Sequence, residues 1–199
     1  MAKETMSGSE IEEIKTMAAA HFWPHSRQAG DMSEETGLKV MVRGEGVWVE
    51  DAQGDKWFDV ISGMWLKNIG HGRREIADAV YEQMLEISYT PGGTVAPATA
   101  KLAAKVASIA PDKGSRIFFV SGGSEAVETA MKMARKFHRN NGEASRFKLI
   151  ARNGSYHGST FLNMSLGGGG VANPADFAPL MPYVYNISQP GEYNCHFCK

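Results

Sequence analysis

Cysteine is scarce in this chain: two residues among 199, Cys195 and Cys198. That is too few for a disulfide framework. Long apolar runs are missing as well, and none approaches the roughly 18 residues that a membrane-spanning helix needs. The N-terminal stretch MAKETMSGSE lacks the apolar core of a secretory signal. Neither sign of charge dominates. Lys+Arg 21 against Asp+Glu 22 give a formal net charge of -1, so no basic surface is on offer to nucleic acid or to an anionic membrane. From these absences we expect a cytoplasmic, reducing location, with no membrane and no nucleic-acid partner. No internal repeat is present. Cys195-His196-Phe197-Cys198 has no second ligand pair to complete a zinc site and is not the haem-attachment order. Two ordinary thiols and no metal are expected.

What is present is organised around residues 116–158. Ile117-Phe118-Phe119-Val120 reads as a strand buried on both faces. Ser121-Gly122-Gly123-Ser124 interrupts it. Val127, Ala130, Met131, Ala134 and Phe137 then follow a helical stripe, which Asn140-Asn141-Gly142 ends. Lys148-Leu149-Ile150-Ala151 reads as the next strand. Strand, helix and strand make a βαβ unit with a parallel sheet. Unpaired N–H groups at the helix start, with no Cβ at Gly122 or Gly123, form a cup for an anion. The cup is neither G-x-x-x-x-G-K-[ST] nor G-x-G-x-x-G, and a tight turn without ligand is the alternative. Glu125 and Glu128 suit the helix dipole but would repel a phosphate, so their carboxylates should point elsewhere. Tyr156-His157-Gly158 follows the neighbouring strand on the same rim. An aromatic there can stack on a flat cofactor whose phosphate fills the cup.

Ahead of this stretch, Ser9 and Glu12 form a capping box for a helix that stops at His21-Phe22-Trp23-Pro24-His25. Val40–Val42, Val47–Val49 and Trp57–Val60 form an antiparallel meander, with turns at Gly44-Glu45-Gly46 and Gln53-Gly54-Asp55. A glycine-punctuated loop, Ser62–Gly72, follows. Within it Trp65 faces either a ligand or the interior between lobes, and His71 serves a turn rather than acting as a base. Helices are expected around Ile76–Ile87 and Leu102–Ile109. Phe161-Leu162-Asn163-Met164 is a short apolar segment, Gly167–Gly170 a flexible loop, and Tyr183-Val184-Tyr185 a last strand. Residues 1–68 are expected to form an N-terminal helix and meander of a small lobe, and residues 69–199 the first part of a large α/β domain.

FFVSGGSEAVETAMKMARK followed by YHGST, with VWVEDAQGDKWFDVISGMWLKNIGHGRREIADAV upstream, resembles the class III aminotransferases. Within that class GMW with NIGHGR is most similar to enzymes that act on ω-amino acids or amines with pyruvate. The resemblance implies the fold-type I, aspartate-aminotransferase-like α/β architecture, incomplete, with an N-terminal α+β lobe. It implies pyridoxal 5′-phosphate as cofactor, an amine donor and a 2-oxo acid acceptor as substrates, and a homodimer. Gly122, Gly123 and Ser124 match the phosphate-binding turn, in which many relatives have a serine where Gly122 stands. Tyr156 matches the aromatic that stacks on the ring, and Trp65 a wall of the substrate pocket. Trp23 lies near the segment that covers that pocket. Residues 89–95 resemble a loop that approaches the other subunit's site, with Gly92 and Gly93 where some relatives have an aromatic.

The chemistry of such enzymes needs a Schiff-base lysine and a carboxylate at the pyridinium nitrogen. Neither Lys132, Lys136 nor Lys148 matches that lysine. No catalytic residue is therefore assigned, and these 199 residues alone are expected not to transaminate. Two alternatives stand: a non-catalytic truncated fragment, and a nucleotide-binding α/β domain.

Overall fold

The computed structural model describes residues 6–25, 38–167 and 173–191. Cys195, Cys198 and Gly168–Gly170 lie outside them. The chain divides into two compact units, Met1–Ala100 and Lys101–Lys199. The lobe boundary expected at 68/69 falls inside the first.

The first unit opens with α1 (Gly8–His21). Its capping box is Ser7 with Glu10, not Ser9 with Glu12. Ser7 Oγ accepts from the Glu10 N–H at 3.3 Å, and Glu10 Oε2 accepts from the Ser7 N–H at 2.7 Å. Both serines have a glutamate three residues on. Glu12 is instead paired with Lys15 Nζ at 2.8 Å, which leaves the earlier pair to set the start. The helix ends where Phe22 turns extended, just ahead of Trp23-Pro24.

Strands β1 (Met41–Glu45), β2 (Trp48–Asp51) and β3 (Lys56–Phe58) form the expected antiparallel sheet in that order. Cross-strand pairs set its register. Trp48 lies opposite Phe58 with ring centroids 5.4 Å apart, and Arg43 opposite Glu50 at 4.0 Å. The first turn is shorter than expected, because Gly44 and Glu45 pair with Val49 and Trp48 and only Gly46-Val47 remain to reverse the chain.

Asp51 closes the β2–β3 turn from inside. Its side chain is 2 % exposed and accepts from the N–H groups of Gln53 (3.1 Å) and Asp55 (2.9 Å) and from Trp57 Nε1 (2.8 Å). The Trp57 indole first, then the two backbone N–H groups and the Lys39 charge, hold its carboxyl below the ordinary range against the effect of burial. A depressed folded value contributes stability that is present above the unfolded carboxylate value of about 3.9 and is lost as the pH falls through the folded one. Asp51→Ala is expected to lower the melting temperature by several degrees at pH 7, and the gap from the parent should narrow in acid. A pH series of thermal melts checks both.

The single turn α2 (Ser62–Trp65) interrupts the glycine-rich loop, and the helices α3 (Arg74–Glu86) and α4 (Pro97–Ile109) follow as the apolar spacing predicts.

In the second unit α5 (Gly123–Asn140) starts and stops where expected. The run before it does not form the expected strand. Among the described residues 116–120 have no ladder partner, and Phe118, Phe119 and Val120 are exposed rather than buried on both faces. An apolar extended run becomes a strand only when a neighbour takes its N–H and C=O groups. The βαβ unit lies one step later in the chain. Strands β4 (Leu149–Arg152) and β5 (Val184–Ile187) pair in parallel, Leu149 with Val184 through Arg152 with Ile187. The connection between them carries α6 (Phe161–Gly167), where the sequence suggests only a short apolar segment. Ser165 ties α6 to β5 and its approach: its carbonyl accepts from Asn186 Nδ2 and its Oγ from the Met181 N–H, each at 3.0 Å.

Candidate functional site

Gly122 is the N-cap of α5, with extended backbone (φ -170°, ψ 174°) and no side-chain cap. The first-turn N–H groups have no partner within the helix. A Cβ built on Gly122 or Gly123 would meet nothing within 4 Å. Neither glycine is thus demanded by its own φ or by close packing. What their smallness secures is open space in front of first-turn N–H groups.

The carboxylates around this cup are held. Glu128 Oε1 accepts from Thr160 Oγ1. Glu125 departs from the expectation: its carboxylate folds back onto the cup loop, because the first-turn position lets its Oε2 accept from the Ser121 N–H at 2.7 Å. That bond and the Ser121 hydroxyl keep the Glu125 carboxyl below its ordinary range. One amide of the Ser121–Ser124 loop is therefore already occupied, which leaves Gly122, Gly123 and Ser124 to face a ligand.

The loop after β4 closes against the same helix start. Ser124 Oγ accepts from the Ser159 N–H at 3.1 Å, so its own proton is available to donate. Gly158 is buried at φ +131°, and a Cβ there would lie 2.4 Å from Ser124 Oγ and 3.0 Å from Ser124 Cα. Only a glycine permits that approach. Two residues earlier Tyr156 stands with its side chain 64 % exposed. The cup and the Tyr156 loop are thus brought together.

Asn163 is the residue that sequence reasoning missed. Its side chain is fully buried, and its Nδ2 donates to the Ser124 carbonyl (2.8 Å) and to Thr160 Oγ1 (2.9 Å). It locks α6 to the first turn of α5. Its signal was visible as the one amide inside Phe161–Met164.

In the first unit Trp65 ends a left-handed turn. Ser62, Gly63, Met64 and Trp65 have φ of 50°, 56°, 60° and 69°. Such geometry disfavours each L-residue by about 1–2 kcal/mol, and strain of this kind concentrates at functional sites. Trp65 is 74 % exposed. His71 serves the turn, as expected, through Asp59 (2.9 Å). Trp23, just beyond α1, is also exposed. Gly92 and Gly93 lie in a turn that Pro91 and Thr94 close at 3.2 Å.

The family model for class-III aminotransferases matches residues 30–198. This chain belongs to that family. It is 36% identical over 175 residues to the β-alanine–pyruvate aminotransferase of Pseudomonas aeruginosa, covering 86% of this chain and 38% of that protein. It is 35% identical over 150 residues to the ω-amino acid–pyruvate aminotransferase of Pseudomonas putida, covering 75% and 33%. The crystal structure of an (S)-enantioselective ω-transaminase from Thermomicrobium roseum superposes with a TM-score of 0.85 at 36% identity, covering 96% of this chain and 42% of that one. The chain therefore spans between about a third and about two fifths of the length of these relatives. Its fold is that of the fold-type I transaminases, and class-III membership implies pyridoxal 5′-phosphate as cofactor. The residues present fit that group's phosphate: open space at two glycines, first-turn amides, and a serine hydroxyl with a proton to give.

Among the described residues no helix is long and apolar enough to cross a membrane.

Proposed function

We propose that this class-III aminotransferase chain supplies the phosphate-gripping and ring-stacking part of an active site. The complete site would move an amino group from an ω-amino acid or amine to pyruvate or another 2-oxo acid. One observation carries this: the start of α5 is left open by glycines that neither backbone conformation nor packing requires, and the Tyr156 loop is closed onto it. The N–H groups of Gly122, Gly123 and Ser124 and the Ser124 hydroxyl would hold the phosphate. Tyr156 would cover one face of the pyridine ring. When bound, pyridoxal phosphate supplies the electron sink and carries the amino group. This chain's residues orient it; Trp65 and Trp23 would shape the donor's pocket. The division into a small lobe over residues 1–68 and the large domain from 69, the cytoplasmic location and a homodimer belong to the same proposal.

No lysine is assigned to the reacting carbon. Lys132 and Lys136 lie along α5, and Lys148 precedes β4 with its Nζ 5.9 Å from the Tyr185 ring centroid. The 199-residue chain should bind the cofactor without turnover. Amine-dependent conversion of pyruvate to alanine by the purified chain would refute that division of labour. Preferential binding of a mononucleotide over pyridoxal phosphate would favour a nucleotide-binding domain instead.

Gly122→Ser offers a graded check. Its extended backbone suits any residue, and a serine N-cap improves on glycine by a few tenths of a kcal/mol. Its hydroxyl also adds a donor to the cup. We expect cofactor affinity to rise about tenfold or more, the worth of one hydrogen bond to a charged group, read by titration alongside a melt.

A further inference from the structure

Asp59 ties three segments of the first unit together. Its own N–H donates to the Val47 carbonyl at 2.9 Å. Its Oδ1 accepts from the Gly63 N–H at 3.0 Å, inside the left-handed turn. Its Oδ2 is 2.9 Å from His71 Nε2. His71 is in turn fixed against β1. It exchanges backbone hydrogen bonds with Gly46 at 2.8 and 3.1 Å, and a Cβ on Gly44 would lie only 2.7 Å from the His71 Cβ.

The turn that Asp59 grips runs against ordinary preference. Three of its four residues, Ser62, Met64 and Trp65, are L-residues at positive φ. A conformation of this kind persists only where its surroundings over-determine it. Relaxing Met64 or Trp65 to negative φ would redirect the indole, since the direction of the Cα–Cβ bond follows the handedness of the turn.

We propose that Asp59 is a positioning residue for Trp65. Its carboxylate, held between the Gly63 N–H and the His71 imidazole, keeps the turn left-handed and so aims the indole. This rests on the placing of Trp65 in the wall of the donor pocket. Asp59 touches no reacting atom. It acts on fit, so its loss weakens use of the amine donor while chemistry on bound donor continues.

The test uses the full-length, cofactor-loaded enzyme with three variants: Asp59→Ala, Asp59→Asn and Trp65→Ala. Asparagine keeps both links, because its Oδ1 accepts from Gly63 and its Nδ2 donates to a neutral His71 Nε2. Asp59→Ala is expected to raise the donor KM about tenfold with kcat within about twofold. The Gly63 amide should exchange its hydrogen at least about tenfold faster as its protection is lost. Asp59→Asn should return both readouts to within about threefold of the parent. Trp65→Ala should raise the same KM and leave Gly63 exchange unchanged. If Trp65→Ala leaves the donor KM unchanged, the pocket wall is refuted and the positioning role falls with it. If Trp65→Ala raises KM but Asp59→Ala only accelerates exchange, the pocket stands and the positioning role is overturned. Should Asp59→Ala fail to fold, His71→Ala removes one of the two links and is read instead. A KM rise of about threefold supports the proposal, and an unchanged KM overturns it.

Discussion

Gly123→Asp is expected to leave the protein folded, or slightly more stable, while reducing its affinity for pyridoxal 5′-phosphate by about a hundredfold or more. The two effects have opposite signs for one reason. Gly123 is the first residue of α5, and a Cβ there meets nothing within 4 Å. A carboxylate at that end of the helix is favoured by the dipole by about 0.3–1 kcal/mol. The same carboxylate stands where the phosphate would sit. Two unit charges about 4 Å apart repel by about 4 kcal/mol at an effective dielectric of 20, and each 1.4 kcal/mol is about a factor of ten. A glycine conserving only a tight turn would show no such split. Parallel melting and binding curves on parent and variant make the comparison. An unchanged melt with unchanged affinity would remove the phosphate from the cup.

Gly158→Ala is expected to do the reverse and strike the fold first. Gly158 sits at φ +131°, and its new Cβ would lie 2.4 Å from Ser124 Oγ, 2.8 Å from Asn163 Nδ2 and 3.0 Å from Ser124 Cα. The hydroxyl can turn aside, but the Cα belongs to the first turn of α5 and cannot. Backbone strain of this kind costs about 1–3 kcal/mol, and overpacking a buried site adds about 1–3 kcal/mol. A loss of about 3 kcal/mol should appear in urea melts as a lower midpoint at unchanged slope. Any relief must push the Tyr156 loop away from α5, so affinity for the cofactor should fall in the molecules that remain folded. A variant as stable as the parent would mean that the loop does not pack on the helix start.

Much of this was legible in the sequence. The glycines at 122 and 123, the stripe from Val127 to Phe137 and the stop at Asn140-Asn141-Gly142 mark α5 because helix signals are local. The Tyr156 loop does meet the start of α5, but through the Ser159 N–H on Ser124 Oγ and the close approach of Gly158 rather than through a shared strand rim. The strand expected at Ile117–Val120 was not found, because strand formation depends on a partner distant in sequence, and among the described residues none pairs with it. α6 was missed because seven residues with polar insertions show no clear period. Asn163 looked like an interruption of an apolar segment, and its purpose appears only when the Ser124 carbonyl, 39 residues away in sequence, comes within 2.8 Å. The handedness of the turn at Ser62–Trp65 could not be foreseen at all. Only one of its residues is a glycine, and the carboxylate that holds it is set by Asp59 reaching both Gly63 and His71.

The start of α5 is proposed to grip a phosphate attached to a flat ring. Pyridoxamine 5′-phosphate and pyridoxamine differ in that phosphate alone, and neither carries an aldehyde that surface lysines could capture. Calorimetric titration of both into the protein isolates what the cup contributes. The phosphorylated form is expected to bind at least about a hundredfold more tightly, the worth of two charge-assisted hydrogen bonds, and Gly123→Asp should abolish most of that difference. Equal affinity for the two, or a difference that survives Gly123→Asp, would contradict the account.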